Sequence, residues 1–317
     1  MSGKTAKYKI YWGDTHHNTY MGGVQDPPMQ TILKRASGYL DFYTGALYTP
    51  KGRAVPIRKG WKVPSECAVQ GHPQESAKYK PEDWIGVRAE GTKMPDQLAR
   101  EWKEFEQATA EAHQPGRFVT FPGYEWQGNG EYGDHNVFYL REGNPVFTVS
   151  TLPELYRNLR SLKAIAIPHH IGYHRGIRAP VWKNCNVEIS PFAEIFSVHG
   201  CSETDEEWVG LRRNAHMGPG TGGGTYQDAL DSGLHLGAIC STDNWKNMPA
   251  CWGEGVMACL ATSLTREGLW EAFQARRVYG VTGDRIKLDF TCNGAPMGSI
   301  LPKTKRREIS VEAVGLD

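Results

Sequence analysis

Apolar and polar positions alternate along this chain in short blocks, and six of the apolar runs adjoin a side chain able to bind a metal. Ile10 leads to Asp14 and His16, Phe118 to Glu125, Ile165 to His169, Ile195 to His199 and Ile239 to Asp243, while Val137 runs back to His135. Parallel strands gathered into a barrel bring their carboxyl ends to one face, so residues distant in sequence can surround one point. Imidazoles and carboxylates at that face point to a metal-dependent active site.

Between these runs the pattern is helical. A β-like run at 8–12, a helical one at 29–36 and a second β-like run at 40–43 are each bounded by Gly or Pro signals, which predicts parallel βα units. The clearest helix covers 95 to about 113, where Leu98, Trp102, Phe105 and Ala108 recur at helical spacing and Gln114, Pro115 and Gly116 end it. Two more helices are expected at 152–162 and 265–278, the second with Thr265 as a simple N-cap. The segment at about 49–95 is rich in Pro, Gly and Lys with weak periodicity, as befits a long insertion serving as lid or specificity loop. Five glycines within 217–225 suggest a mobile connector near the site; no Lys-Ser/Thr helix start follows them, which argues against a phosphate cradle.

After Gly283 the pattern becomes strict alternation. Ile286, Leu288 and Phe290 share one side, Asn293 and Gly294 mark a turn, and Ile309, Val311 and Val314 follow. The expected organisation is one α/β barrel over 1–283, carrying the insertion, then the start of a β-rich appendage over 284–317 that reads as truncated.

Composition narrows the function classes. With 36 Lys plus Arg against 35 Asp plus Glu, there is no overall field to attract nucleic acid or anionic lipid, so neither is expected as a partner. Seven scattered cysteines without a CxxC pair fit reduced thiols. The amino terminus lacks the apolar stretch of a signal peptide and no segment has the length of a membrane span. The expectation is a cytoplasmic enzyme acting on a small molecule, with the oligomeric state left open.

Each candidate has an ordinary alternative. His16, just past the first strand, is the favoured first ligand, although a lone histidine there is often a hydrogen-bonded structural residue. Glu125 sits in an aromatic neighbourhood, where a buried carboxylate needs a cation or a salt bridge. His135 is either a ligand or a turn imidazole. His169 and His170 follow an apolar strand, and since adjacent residues of an extended chain point opposite ways, His169 is expected to face the metal and His170 the substrate or an outer position. His199 lies at the functional end of its strand, with Glu194 at the other end; Asp243 is a ligand or a helix cap.

Taken together, Tyr11-Trp12-Gly13-Asp14-Thr15-His16, Gly123-Tyr124-Glu125-Trp126, Ile167-Pro168-His169-His170-Ile171-Gly172-Tyr173, the segment from Glu194 to Gly200, Ser241-Thr242-Asp243 and the segment from Arg276 to Arg285 resemble the PHP (polymerase and histidinol phosphatase) metallohydrolases, in a long bacterial branch. The resemblance implies a distorted (β/α)7 barrel holding two or three Mn, Fe or Zn ions and hydrolysis by a metal-activated water; some relatives of this branch resemble carbamate or aryl-ester hydrolases. Three positions depart from the family pattern: Asn18 stands in place of the second histidine of a His-x-His pair, Tyr48 follows the second strand, and Trp245 replaces a histidine after Asp243. The ligands that remain by resemblance are His16, Glu125, His135, His169 and Asp243, with His199 added by the branch. They suffice for one divalent ion, with two open, rather than three.

Asn18, Tyr48, His170 and Trp245 would then line the substrate pocket. Arg175 and Lys246 would neutralise an anionic substrate or leaving group, unless they are simply solvated. The expected activity is hydrolysis of a phosphoester, carbamate or carboxylic ester, with Asp243 or His199 handling the proton of the attacking water. Two other readings compete: a degenerate barrel that binds a small molecule or acts as a scaffold, and a lyase on the same framework.

Overall fold

The computed structural model describes residues 8–19, 21, 28–49, 93–174, 178–207, 211, 223–244, 249–251 and 253–315, and the backbone of 55–58 and 84–88. Its centre is a curled, half-barrel mixed sheet. β1 (Lys9–Thr19), β2 (Phe42–Tyr48), β3 (Val55–Arg58), β4 (Trp84–Arg88), β5 (Val119–Phe121), β6 (Gly123–Trp126), β7 (His135–Tyr139) and β8 (Ala164–Pro168) make up the first half of the chain, with β3 and β4 forming a separate antiparallel pair. In the second half come β9 (Phe192–Ser197), β10 (Gly200–Cys201), β11 (Gly237–Cys240), β12 (Val256–Ala261) and β13 (Val278–Val281). The main sheet runs β13-β12-β1-β2-β6-β7-β8, with β5 also paired to β2, and β10-β9-β11 form a second sheet.

The α/β class agrees with the sequence, but uniform parallel pairing does not hold. β1, β2 and β6 are mutually parallel, whereas β7 is antiparallel to both its neighbours, and β12 is antiparallel to β1 and β13. A short connection explains the reversal of β7. Few residues separate β6 from β7, and a parallel partner needs a crossover of a dozen or more. Because β7 runs backwards, its amino-terminal end lies at the carboxyl ends of β6 and β8, so the residues just before and at His135 still reach the common face.

Period-two alternation sends side chains of the sheet into two cores. Phe42, Phe121, Phe138, Ile165, Ile167 and Met257 join one with Phe273, while Tyr43, Leu47, Tyr124, Val137 and Tyr139 join the other with Leu33, Trp102 and Phe105. Both faces are therefore covered, which accounts for the nearly unbroken burial of these strands.

The helices dock through the faces expected of them. α1 (Met29–Ala36) buries Met29, Ile32, Leu33 and Ala36, and α2 (Pro95–Ala112), opened by Pro95, buries Leu98, Trp102, Phe105 and Ala108. α3 (Leu152–Leu159) starts with a Thr151–Glu154 capping box and stops three residues before the predicted end. α4 (Tyr226–Asp231), also opened by a capping box, was not anticipated. α5 (Arg266–Gln274) begins after the Thr265 cap, whose hydroxyl accepts from Gly268 N at 3.1 Å, and ends early because Arg276 adopts φ 55°.

The second sheet comes close to the first at both ends. Ala166 N donates to Ile189 O at 2.9 Å, just ahead of β9. On the other side Gly280 of β13 lies so near β11 that a Cβ there would sit 2.5 Å from Cys240 N. Past β11 the chain is laced between β9 and β1: Val198 N donates to Thr242 O at 2.9 Å, Asp243 N to His16 O at 2.6 Å and Asn18 N to Asn244 O at 2.9 Å.

β14 (Lys287–Cys292), β15 (Ala295–Pro296) and β16 (Ile309–Val314) form a three-stranded antiparallel sheet turned by Asn293 and Gly294, both at positive φ. Ile286 precedes β14 rather than belonging to it. The predicted lid at 49–95 and glycine-rich connector at 217–225 lie largely outside the described residues. No described helix is long and apolar enough to cross a membrane.

Candidate metal centre

β1 enters the molecule partly exposed and ends in six consecutive buried polar residues, Asp14 to Thr19. Buried polar groups demand partners, so such a run at a strand end marks a site. The six divide by role. Asp14 is saturated: its carboxylate accepts from His16 N at 3.0 Å, Thr242 N at 3.2 Å, Thr242 Oγ1 at 2.6 Å and Ala250 N at 3.0 Å, which makes it a brace for the loop after β11. His17 turns away to Tyr43 Oη at 2.9 Å. His16 and Asn18 face the centre.

His16 is held from behind by Glu194 of β9, whose Oε2 lies 2.8 Å from Nδ1. Nε2 is thereby aimed inward, 3.1 Å from Asp243 Oδ1, and this backing of an imidazole by a carboxylate orients and strengthens a metal ligand. Asn18 Nδ2 donates to the same Asp243 oxygen at 2.9 Å. Asp243 Oδ2 lies 3.2 Å from His199 Nε2, and His199 Nδ1 is 2.9 Å from Tyr173 Oη. The His169 ring stands 4.2 Å from that of His16, centroid to centroid. Ligand atoms of His16, His169 and Asp243 all fall within 4.8 Å of one another, and so do those of Asp134, His169 and His170.

His169 and His170 do not point opposite ways. β8 ends at Pro168, and His170 takes φ 35°, so strand alternation lapses at that step and the two rings lie together, 4.3 Å apart. Asp243 is likewise at positive φ, 49°. Left-handed backbone at non-glycine residues costs about 1–3 kcal/mol and collects at functional sites.

Charge at the centre is tightly coupled. Burial opposes a proton on His16, but Asp243 and Glu194 outweigh it and push the imidazole up to about 10. Burial likewise opposes ionisation of Asp243, yet His16 and His199 hold its carboxyl well below the usual range. Burial, then His16, keep His169 neutral. For His199, burial lowers the pKa against the pull of Asp243. Burial and the neighbouring Asp134 push Glu125 up to about 8. A divalent cation would compete with the His16 proton for the same carboxylates.

The donor set fits such an ion. Among the described residues, both nitrogens of His169, Nε2 of His16, Oδ2 of Asp243, Oε2 of Glu125, Oδ1 of Asp134 and Nδ1 of His170 are buried without a hydrogen-bond partner. So many unpartnered buried polar atoms are otherwise costly.

The remaining candidates lie around this group. Glu125 Oε1 is 3.9 Å from His169 Nε2 and accepts from Gln127 Nε2 at 2.6 Å; Gln127 also reaches Tyr48 Oη, at 3.2 Å, at the end of β2. His135 lies on the flank, its Nδ1 3.2 Å from Gly133 O and its ring edge-on to Trp126 and Tyr156, outside both convergent ligand groups. Asp134 beside it joins the centre instead. Gly133, at φ 79° with Pro180 N 2.6 Å from where a Cβ would be, sets that turn. Arg175, Trp245 and Lys246 lie outside the described residues. Asp134, Glu194, Tyr173 and Arg178 are the contributors that sequence reasoning underrated; Asp134 and Glu194 carried a signal, a carboxylate adjoining an apolar run.

No family model matches the chain. It is 26% identical over 239 residues to an uncharacterized protein of Chlamydia pneumoniae, covering 66% of this chain and 36% of that one, and 26% identical over 220 residues to an uncharacterized protein of Chlamydia trachomatis, covering 63% and 34%. The aligned region thus spans about a third of these curated relatives. The fold is similar to that of a two-domain protein from Bacteroides vulgatus described as containing a predicted PHP-like metal-dependent phosphoesterase, with a TM-score of 0.50 and 11% identity over 98% of this chain and 86% of that one. At that identity the likeness is one of fold.

Proposed function

We propose that the chain is a metal-dependent hydrolase that cleaves a phosphoester, carbamate or carboxylic ester bond of a small molecule, built on a distorted PHP-type barrel. The observation that carries this reading is the convergence of buried, unpartnered ligand atoms from His16, His169 and Asp243. One or two divalent ions, Mn, Fe or Zn, suit this mixture of imidazole and carboxylate. When bound, such an ion acts as a Lewis acid that lowers the pKa of water toward neutrality and polarises the scissile group.

The chain's own residues do the rest. His16, His169 and Asp243 are the ligands, with Glu125 beside them. Glu194 fixes the His16 ring. His199 takes up the proton of the attacking water: its Nδ1 lies 2.9 Å from Tyr173 Oη, and with the imidazole proton on that nitrogen, Nε2 is free to accept the water's proton, to be held by Asp243 Oδ2 3.2 Å away, and to pass the proton to the leaving oxygen. His135, placed on the flank, shapes the pocket together with Asn18, Tyr48 and His170.

Elemental analysis of protein purified without chelator or added metal tests the reading. About one or two equivalents of Mn, Fe or Zn per chain are expected, with hydrolysis of an aryl phosphate, an aryl carbamate or an aryl ester, and loss of both metal and activity in His169→Ala. Absence of metal, with no binding on titration, would instead support a degenerate barrel that binds a small molecule.

A further inference from the structure

Beside His169 and His170 a fixed cation is already built into the protein. Asp134 Oδ2 lies 3.4 Å from His170 Nε2 and also accepts a hydrogen bond from Arg178 Nη1, with both partners buried. Burial opposes the guanidinium charge, but Asp134, Tyr48 and Glu125 outweigh it. Arg178 therefore stands as a buried cation against the carboxylate of the Asp134–His169–His170 group.

We propose that the Arg178 guanidinium takes the place of a second metal ion at the Asp134–His169–His170 group, so that the chain binds a single divalent ion, at His16, His169 and Asp243. The proposal rests on the reading of the site as a metal centre. Three physical points carry it. Arg178 engages Oδ2 of Asp134, the one carboxylate of that group, so an ion bound through the remaining Oδ1 would share its only anionic ligand with a guanidinium. Arginine keeps its charge in proteins, so unlike lysine it cannot yield to an incoming cation by losing a proton. In a buried setting a permanent positive charge beside a divalent one is strongly repelled. The guanidinium balances Asp134 without offering a coordination position, so Arg178 acts as a positioning residue and the single ion is left to His16, His169 and Asp243.

The test is the stoichiometry of Zn²⁺ and Mn²⁺ binding to chelator-stripped, desalted protein, read by native mass spectrometry and elemental analysis. The wild type should saturate at one ion per chain. Arg178→Met removes the charge but keeps the stem, and should take up two. Arg178→Lys, with the charge retained, should remain at one, as should Asp134→Asn. Two ions in the wild type, or one in a folded Arg178→Met, would overturn the proposal and leave the metal centre standing; none in the wild type would overturn both. If circular dichroism shows that Arg178→Met has lost its fold, Asp134→Asn decides: a fall below one ion would identify Asp134 as a ligand and defeat the proposal.

Discussion

Glu194 Oε2 sits 2.8 Å from Nδ1 of His16, and the two residues come from strands 178 positions apart in sequence. The contact fixes which ring nitrogen faces the centre. Glu194→Gln keeps the shape and a hydrogen bond but removes the charge that orients and polarises the imidazole. Loss of such an outer partner typically costs about 10–100-fold in metal affinity. Competition against a chelator of known strength measures it; an unchanged affinity would mean that Glu194 serves packing alone.

Gly280 closes the contact between the two sheets. A Cβ there would lie 2.2 Å from Cys240 Sγ and 2.5 Å from Cys240 N, and the backbone atom cannot swing aside as a side chain would. Gly280→Ala should destabilise the protein by about 1–3 kcal/mol, the usual penalty for overpacking. Denaturant unfolding reads this directly. Since Cys240 lies only three residues before Asp243, the variant should also bind metal more weakly, and wild-type stability in Gly280→Ala would show that β11 and β13 are less close than described.

A pH dependence separable from the centre is expected at Arg266 and Glu142. The buried guanidinium donates through Nη1 at 2.8 Å and Nη2 at 2.5 Å to the Glu142 carboxylate, and through Nε to Thr120 O at 2.7 Å. Burial would raise the Glu142 pKa, but Arg266 outweighs it and holds it below the ordinary value of 4.5. A depressed carboxylate stabilises the fold above its unfolded value, and that contribution disappears as pH falls through the folded one. Glu142→Gln should thus cost about 1 kcal/mol at neutral pH, a modest figure because the carboxylate is partly exposed. The gap between variant and wild type should close below about pH 4.5. A gap constant with pH in urea titrations would rule the ion pair out as its source.

What the sequence disclosed follows from periodicity. Apolar runs ending in His16, His169, His199 and Asp243 put those residues at strand ends, and the structure gathers them. Helices such as Pro95–Ala112 were legible because their spacing and their terminators agree. Strand direction was not, since alternation reads the same both ways, and the antiparallel β7 escaped notice. For the same reason Asp134 and His135 could not be told apart: which of two neighbours turns inward depends on Gly133. The Asp134–Arg178 pair spans 44 positions and has no local signature.

Asn18 offers the sharpest test of how the centre departs from the family it resembles. Its amide donates to Asp243 Oδ1 at 2.9 Å, while its own Oδ1 is buried without a hydrogen-bond partner. Asn18 thus holds Asp243 through its amide nitrogen and keeps a weak oxygen donor in reserve. Asn18→Ala removes both, and metal affinity should fall about tenfold, as for other outer partners. Asn18→His substitutes an imidazole, a stronger donor for Zn, Fe or Mn than an amide oxygen, and should tighten binding instead. The opposite signs distinguish the two contributions. If chelator competition shows Asn18→His weakened as much as Asn18→Ala, position 18 only orients Asp243, and the centre draws its ligands from His16, His169 and Asp243 without it.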